Sequence, residues 1–273
     1  MQTEPLAISH PRVRTWLAIR EPLERQLSPL GRAAMQTLAL AGGERVLDVG
    51  CGVGKTPAEL ALAVGPFGSV VGLELLPAAV EAAERTEGLP ANVSFECGDA
   101  QTFPLDPGAF DAIFSRFGMM FFAKPADALS NLRQALRPRG RMSFVCWRAL
   151  SENELDSFPL DAAAPYLPDE LVTQAPKAAP FSFSDPDHLL NLMQAAGFGA
   201  IRIDAHDELV RSGDLASMVE VCSRVGALGA ILREHSHLVP DATLALRDAL
   251  SARDGPGGPG LRASTWIVSA QID

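Results

Sequence analysis

The sequence predicts an α/β domain built on a mostly parallel sheet. Two observations carry this. Short apolar runs alternate with helical periodicity between residues 45 and 147, and the first of those runs ends in a cluster of glycines. Strand–helix–strand units cross over right-handed, and such sheets take their ligands at the carboxyl ends of the strands. With 273 residues, 47% hydrophobic and 21% charged, the chain can bury a substantial core as one large domain or as a domain with an added subdomain.

Residues 12–41 read as helical, with Leu17, Leu23, Leu27, Leu30 and Met35 on apolar faces. Pro22 and Pro29 are expected to break them into short helices. The strands follow at Arg45–Gly50, Ser69–Glu74, Val93–Cys97, Phe110–Ser115 and Arg141–Trp147, separated by helices at Thr56–Val64, Pro77–Glu87 and Ala126–Leu136. Residues 149–184 hold five prolines and read as a loop with short helices. Asp185–Ala196 is a helix with Ser184 as its expected N-cap. Ile201–Ala205 alternates like a strand, 214–253 reads as two or three helices, Gly255–Gly260 is a turn and Ala263–Ile272 a final strand.

Composition narrows the function. Lys plus Arg number 23 against 33 Asp plus Glu, a net charge of −10 that repels a phosphate backbone on average. The four cysteines form no CxxC pair and no disulfide framework, which suits a reducing, cytoplasmic setting. The opening MQTEPLAISHPRVRTW has neither the charge pattern nor the apolar run of a signal peptide, and no stretch reaches the length needed to span a bilayer.

The chemistry is concentrated in Val46-Leu47-Asp48-Val49-Gly50-Cys51-Gly52-Val53-Gly54-Lys55-Thr56. Glycines at a strand-to-helix turn let backbone approach a ligand, and the helix start offers free N–H groups. A phosphate-binding loop needs its first glycine at 49, which is valine, and a dinucleotide loop needs its third at 55, which is lysine. The pattern present is G-x-G-x-G with an aspartate two residues before it.

With that motif the chain resembles the class I S-adenosylmethionine-dependent methyltransferases. Three further positions carry the resemblance: Glu74 at the end of the second strand, Asp99 in Cys97-Gly98-Asp99-Ala100 after the third, and the Pro138-Arg139-Gly140 turn where the family usually has Pro-Gly-Gly. The resemblance implies a Rossmann-like seven-stranded sheet, mostly parallel with an antiparallel last strand, here with helical cap insertions. It divides the chain into an N-terminal helical lid (1–44), a cofactor-binding core (45–148), a cap insertion (149–184) and a C-terminal part of the core (185–273) carrying a helical insertion at 212–254. It implies S-adenosylmethionine as cofactor, held by Gly50, Cys51, Gly52, Gly54 and Thr56, by Glu74 and Leu75 at the ribose, by Gly98, Asp99 and Ala100 at the adenine, and by Ser115 and Arg116 at the methionine end. Asp48 is expected to fix the loop.

After the fourth strand the chain reads Ser115-Arg116-Phe117-Gly118-Met119-Met120-Phe121-Phe122, without the prolines of base-modifying enzymes. This is similar to bacterial UbiE-like small-molecule methyltransferases. It implies methyl transfer to a carbon or oxygen of a small, largely apolar acceptor, with Met119, Met120, Phe122 and Tyr166 as candidate lining residues. Core packing is the competing reading of those side chains. His188 and His206 are candidate bases, although the reaction does not require one. His235 and His237 are spaced i, i+2 in a helical region, where side chains diverge, so no metal is expected. Two alternatives stay open: a protein of this fold that binds the cofactor without methylating, and a nicotinamide-dependent oxidoreductase. The pattern gives no oligomeric state.

Overall fold

The computed structural model describes residues 11–273, so the first ten residues of the expected 1–44 lid lie outside the described residues. Seven strands form one sheet in the order β3-β2-β1-β4-β5-β7-β6. They are β1 (Arg45–Val49), β2 (Ser69–Glu74), β3 (Val93–Cys97), β4 (Phe110–Arg116), β5 (Leu136–Trp147), β6 (Gly199–Val210) and β7 (Leu261–Gln271). The first five run parallel, with Leu47 opposite Val71 and Ile113, and Ile113 opposite Met142. β7 enters antiparallel between β5 and β6, with Val145 opposite Ile267 and Ile203 opposite Val268. This is the mostly parallel, hairpin-closed sheet that the sequence implied.

Burial explains the strand sequences. β1 and β4 lie mid-sheet, covered on both faces, and their side chains are almost all buried. β6 is an edge strand, and exposed residues recur along it. The helices α2 (Arg20–Thr37) and α3 (Lys55–Val64) pack on one face through Leu30, Ala34, Leu60 and Val64. On the other face α5 (Pro125–Ala135) and α8 (Pro186–Ala195) pack through Leu129, Leu132, Leu189 and Met193. The helix α4 (Pro77–Glu84) follows β2, and α1 (Pro11–Ala18) places Val13 against its Ala78 and Ala79.

Pro22 and Pro29 do not break the N-terminal region as expected: α2 runs unbroken from residue 20 to 37, with Pro29 inside it. Pro22 falls in the first turn, where its missing N–H has no intrahelical partner anyway. Pro29 forfeits one hydrogen bond, a cost of about 3 kcal/mol or more. Burial of Leu30, Ala34 and Leu38 against the sheet offsets it. Helix α8 starts one residue later than expected, with Asp185 rather than Ser184 accepting from the Asp187 and His188 N–H groups.

The segments 149–184 and 212–254 pack together. Helices α6 (Glu154–Ala163) and α7 (Asp169–Gln174) come from the first; α9 (Leu215–Arg224), α10 (Gly226–Glu234) and α11 (Val239–Ser251) come from the second. Leu155, Leu160 and Ala163 share one apolar cluster with Met218, Val219, Leu228 and Leu246. A buried polar joint ties them: Asp156 accepts from the Ala227 N–H at the start of α10 at 2.9 Å and from Asn153 at 2.8 Å, and Asn153 accepts from the Ser264 N–H of β7.

Candidate active site

Strand order reverses between β1 and β4, which opens a crevice beyond their carboxyl ends. The glycine loop rises from β1 at that point, and all three glycines have positive φ: 71° at Gly50, 57° at Gly52 and 85° at Gly54. Space adds a second reason at two of them. A Cβ at Gly50 would lie 3.0 Å from Gly118 Cα, and one at Gly54 would lie 3.0 Å from Ala83 and Phe95. At Gly52 a Cβ would meet nothing within 4 Å. The Cys51 thiol turns inward into the room left by Gly72, whose own Cβ would lie 2.7 Å from it, and burial pushes its pKa well up.

Glu74 joins β2 to this loop. Its Oε2 accepts from the Gly52 N–H at 3.0 Å and its Oε1 from the Leu76 N–H at 2.9 Å. A carboxylate has about four acceptor positions, so two remain for a diol. Leu75 beside it is 60% exposed, an apolar surface at the same edge.

Beneath the loop Asp48 is fully buried. One oxygen accepts from the Thr56 hydroxyl, and Oδ1 has no partner among the described residues. Burial raises its pKa to about 7. Asp48 thus anchors the start of α3 through the Thr56 hydroxyl. Ser115 donates to the Val49 carbonyl at 2.7 Å and locks β4 to β1.

Arg116, the last residue of β4, threads past α2 at Gly31, where a Cβ would sit 2.6 Å from its Cδ. Its guanidinium ends in a two-point pair with Glu24 at 2.8 and 2.5 Å. Sequence reasoning missed Glu24, which lies 92 residues away from its partner in the chain.

Past the end of β3 Ala100 is buried and Asn131 of α5 donates to the Ala100 and Phe103 carbonyls at 2.9 Å, which fixes the loop that carries Asp99. Gly98 leaves the space that the Phe103 ring fills.

The acceptor side differs from expectation. Met119 and Met120 are 1% and 2% exposed and belong to the core under the sheet end, so neither lines an open pocket. The turn Met119–Phe121 folds them inward because that face of β4 is closed by α5 and α8. Phe122 is half-buried and Tyr166 exposed. The aromatic surface at the strand ends comes instead from Phe117 and Trp147, whose rings stack at 4.0 Å and 18°. Phe117 holds φ at 56°, a strained conformation for a bulky residue and one that collects at functional sites. Their position just past β4 and at the end of β5 was the available sequence signal.

The histidines stand apart. His188 is exposed in the first turn of α8. His206 lies on edge strand β6, three strand spacings from β4, about 14 Å. A cleft of about 650 Å³ opens between Arg25, Pro29, Arg211, Gly213 and Gly257 and does not border the glycine loop. Among the described residues no cluster of His, Cys, Asp and Glu has metal-binding geometry.

These features define a class I, S-adenosylmethionine-dependent methyltransferase fold: the strand order, the positive-φ glycine loop with its aspartate, and an acid at the end of β2. The donor set fits that cofactor, since the glycines bare the backbone, Glu74 keeps free acceptor positions and Asp48 holds an unpartnered oxygen beneath the loop. Comparison agrees, because residues 46–140 match the family described as "Methyltransferase domain". It is 32% identical over 120 residues to aklanonic acid methyltransferase DauC of Streptomyces sp. (strain C5), covering 43% of this chain and 54% of the relative. It is 28% identical over 208 residues to O-methyltransferase cnsE of Penicillium expansum, covering 75% and 70%. The chain spans a third to about half the length of several curated relatives. A methyltransferase structure from Aquifex aeolicus superposes with a TM-score of 0.55 at 15% identity, over 97% of this chain and all of the other, a likeness of fold. No single helix among the described residues is long and apolar enough to cross a membrane.

Proposed function

We propose that this protein transfers a methyl group from S-adenosylmethionine to a carbon or oxygen of a small, largely apolar molecule. The observation that carries this is the pairing, at one sheet edge, of the Glu74-braced glycine loop with the Phe117–Trp147 stack. The cofactor supplies an electrophilic methyl group on a sulfonium. Everything else falls to the chain's own groups. Glu74 holds the ribose hydroxyls, Asp99 and the Ala100 N–H hold the adenine, and the bare backbone at Gly50–Gly54 cradles the methionine end. Backbone groups of Ser115 and Arg116 border that end.

Phe117, Trp147 and Phe122 give the acceptor flat apolar surface and exclude water from it. Alignment of the acceptor atom in line with the departing sulfur accounts for most of the acceleration, so no base is needed from His188 or His206. The names of the relatives DauC and cnsE, both methyltransferases, support this reading. In it residues 11–44 and the joined insertions close the site from two sides, nucleic acid is not the substrate and the protein works in the cytoplasm.

The test is calorimetric titration with S-adenosylmethionine, S-adenosylhomocysteine, NAD and ATP, followed by transfer of radiolabelled methyl to a panel of phenols and enolisable carbonyl compounds. Tight binding of the first two with label incorporation is expected. Comparable NAD binding overturns the cofactor assignment, and binding without transfer to any acceptor favours a protein that holds the cofactor without methylating.

A further inference from the structure

The carboxylate of Asp99 is already engaged from within the chain. Gln101 Nε2 donates to both of its oxygens, at 2.9 and 2.7 Å, and the Gln101 backbone N–H donates to Oδ1 at 2.9 Å. The other end of the same carboxamide faces the opposite way, and Gln101 Oε1 accepts from the Lys124 N–H at 2.6 Å. Lys124 is the N-cap residue of α5. It closes the loop that begins with strained Phe117 and contains the turn Met119–Phe121. One half-buried side chain therefore bridges the adenine end of the crevice and the loop beside the Phe117–Trp147 stack.

We propose that Gln101 couples occupancy of the adenine subsite to the order of the loop between β4 and α5. The inference rests on the cofactor reading above. An amide NH2 on Asp99 is the same kind of donor as the exocyclic amino group of adenine, and both seek the same acceptor. Oδ1 already takes two donors and Oδ2 takes one. Of about four acceptor positions one is left, on Oδ2, so an arriving amino group must share that oxygen with Nε2 and weakens its hold. The carboxamide is rigid and planar, so Nε2 cannot leave Oδ2 without swinging Oε1 on its hold of Lys124. A ligand shifts an equilibrium only through unequal affinity for the two states, and competition for one carboxylate oxygen supplies that inequality. Cofactor arrival thus releases the acceptor-side loop. By linkage, whatever fixes the loop in its present form weakens the cofactor by the same factor. Cofactor occupancy and the present form of the loop therefore disfavour each other.

The experiment is calorimetric titration with S-adenosylhomocysteine together with amide hydrogen exchange across residues 117–128, on the wild type, Gln101→Ala and Gln101→Met. In the wild type, S-adenosylhomocysteine should speed exchange at the Lys124 amide. In both variants that amide should exchange fast from the outset and not respond, and binding should tighten roughly fivefold, one competing hydrogen bond's worth. Variants that bind equally or more weakly, or a wild-type Lys124 amide indifferent to the ligand, overturn the coupling. A wild type that binds no S-adenosylhomocysteine overturns the cofactor reading and the coupling with it, and is recognised because both variants are then silent as well.

Discussion

Glu24 in α2 and Arg116 at the end of β4 form a two-point ion pair that lies mostly out of solvent. The pair is extended by the Ser28 hydroxyl, which donates to Glu24 at 2.9 Å. It fixes α2 to the carboxyl end of β4, beside the glycine-loop crevice.

Removing one partner leaves the other charged and dry. Glu24→Ala should lower stability by about 3 kcal/mol, read from urea unfolding. The double variant Glu24→Ala/Arg116→Met should recover part of that loss, because it buries no orphan charge. Strictly additive losses would show that the two side chains do not interact.

Glu74→Ala should weaken S-adenosylhomocysteine binding by about 1.5–3 kcal/mol, the range for hydrogen bonds to a charged group. The Gly52 and Leu76 N–H groups lose their acceptor as well. Calorimetry on the folded variant decides, and unchanged affinity would remove Glu74 from the cofactor site.

The pH dependence of stability follows from two buried acids. Burial raises Asp156 to about 6 and Asp48 to about 7. Both then hold a proton in the folded chain at pH values where the unfolded chain has lost it. Their contribution is fully present below about pH 4 and is lost between about pH 4 and 6 for Asp156, on the order of 3 kcal/mol, and between about pH 4 and 7 for Asp48. Glu24, Glu44 and Glu154 act in the opposite sense: ion pairs and hydrogen bonds hold their pKa values below 4.5, so their stabilisation falls away in stronger acid. Tm should therefore peak between about pH 4 and 5 and decline until about pH 7. Asp156→Asn should flatten that decline while lowering Tm overall, since its amide would face the Asn153 amide. A wild-type Tm that rises from pH 5 to 8 would contradict the assignment.

Arg139 occupies the left-handed region at φ 63° and is exposed. Arg139→Gly should raise stability by about 0.5–1 kcal/mol, the relief of strain less the extra freedom of the unfolded glycine. Thermal unfolding tests this.

Trp147→Ala should cut acceptor turnover and leave S-adenosylhomocysteine affinity unchanged. Equal turnover with the stack removed would place the acceptor elsewhere. Met119→Asp is the wrong probe for this question, because a charge at a fully buried position unfolds the domain.

Strands β1 and β4 were legible because mid-sheet strands covered on both faces leave continuous apolar runs, and the glycine loop because its backbone conformation admits few other residues. Contacts between distant segments left no such mark. Nothing local in α2 announces that Glu24 will meet Arg116, and nothing in Gly-Asp-Ala-Gln says that Gln101 will reach Lys124 as well as Asp99. The methionines after β4 were ambiguous for a different reason. Apolar side chains at a ligand edge read the same whether they line a pocket or fill the core behind it, and only the turn Met119–Phe121 chooses. Pro29 shows the converse, a strong local signal overruled by packing.

The inward-turned thiol of Cys51 has a practical consequence. Cys146 and Cys222 are buried like it, and burial pushes both thiols far above their usual range, so all three stay protonated and inert toward alkylating reagents. Desolvation and the nearby Glu74 charge raise the Cys97 thiol as well, but Cys97 alone among the four is exposed to reagents, and it lies directly across the β2–β3 pairing from Glu74. A thiol-reactive fluorophore added to the unmodified protein would attach at that one point, beside the proposed ribose acid, and would report each arrival of the cofactor without any engineered cysteine.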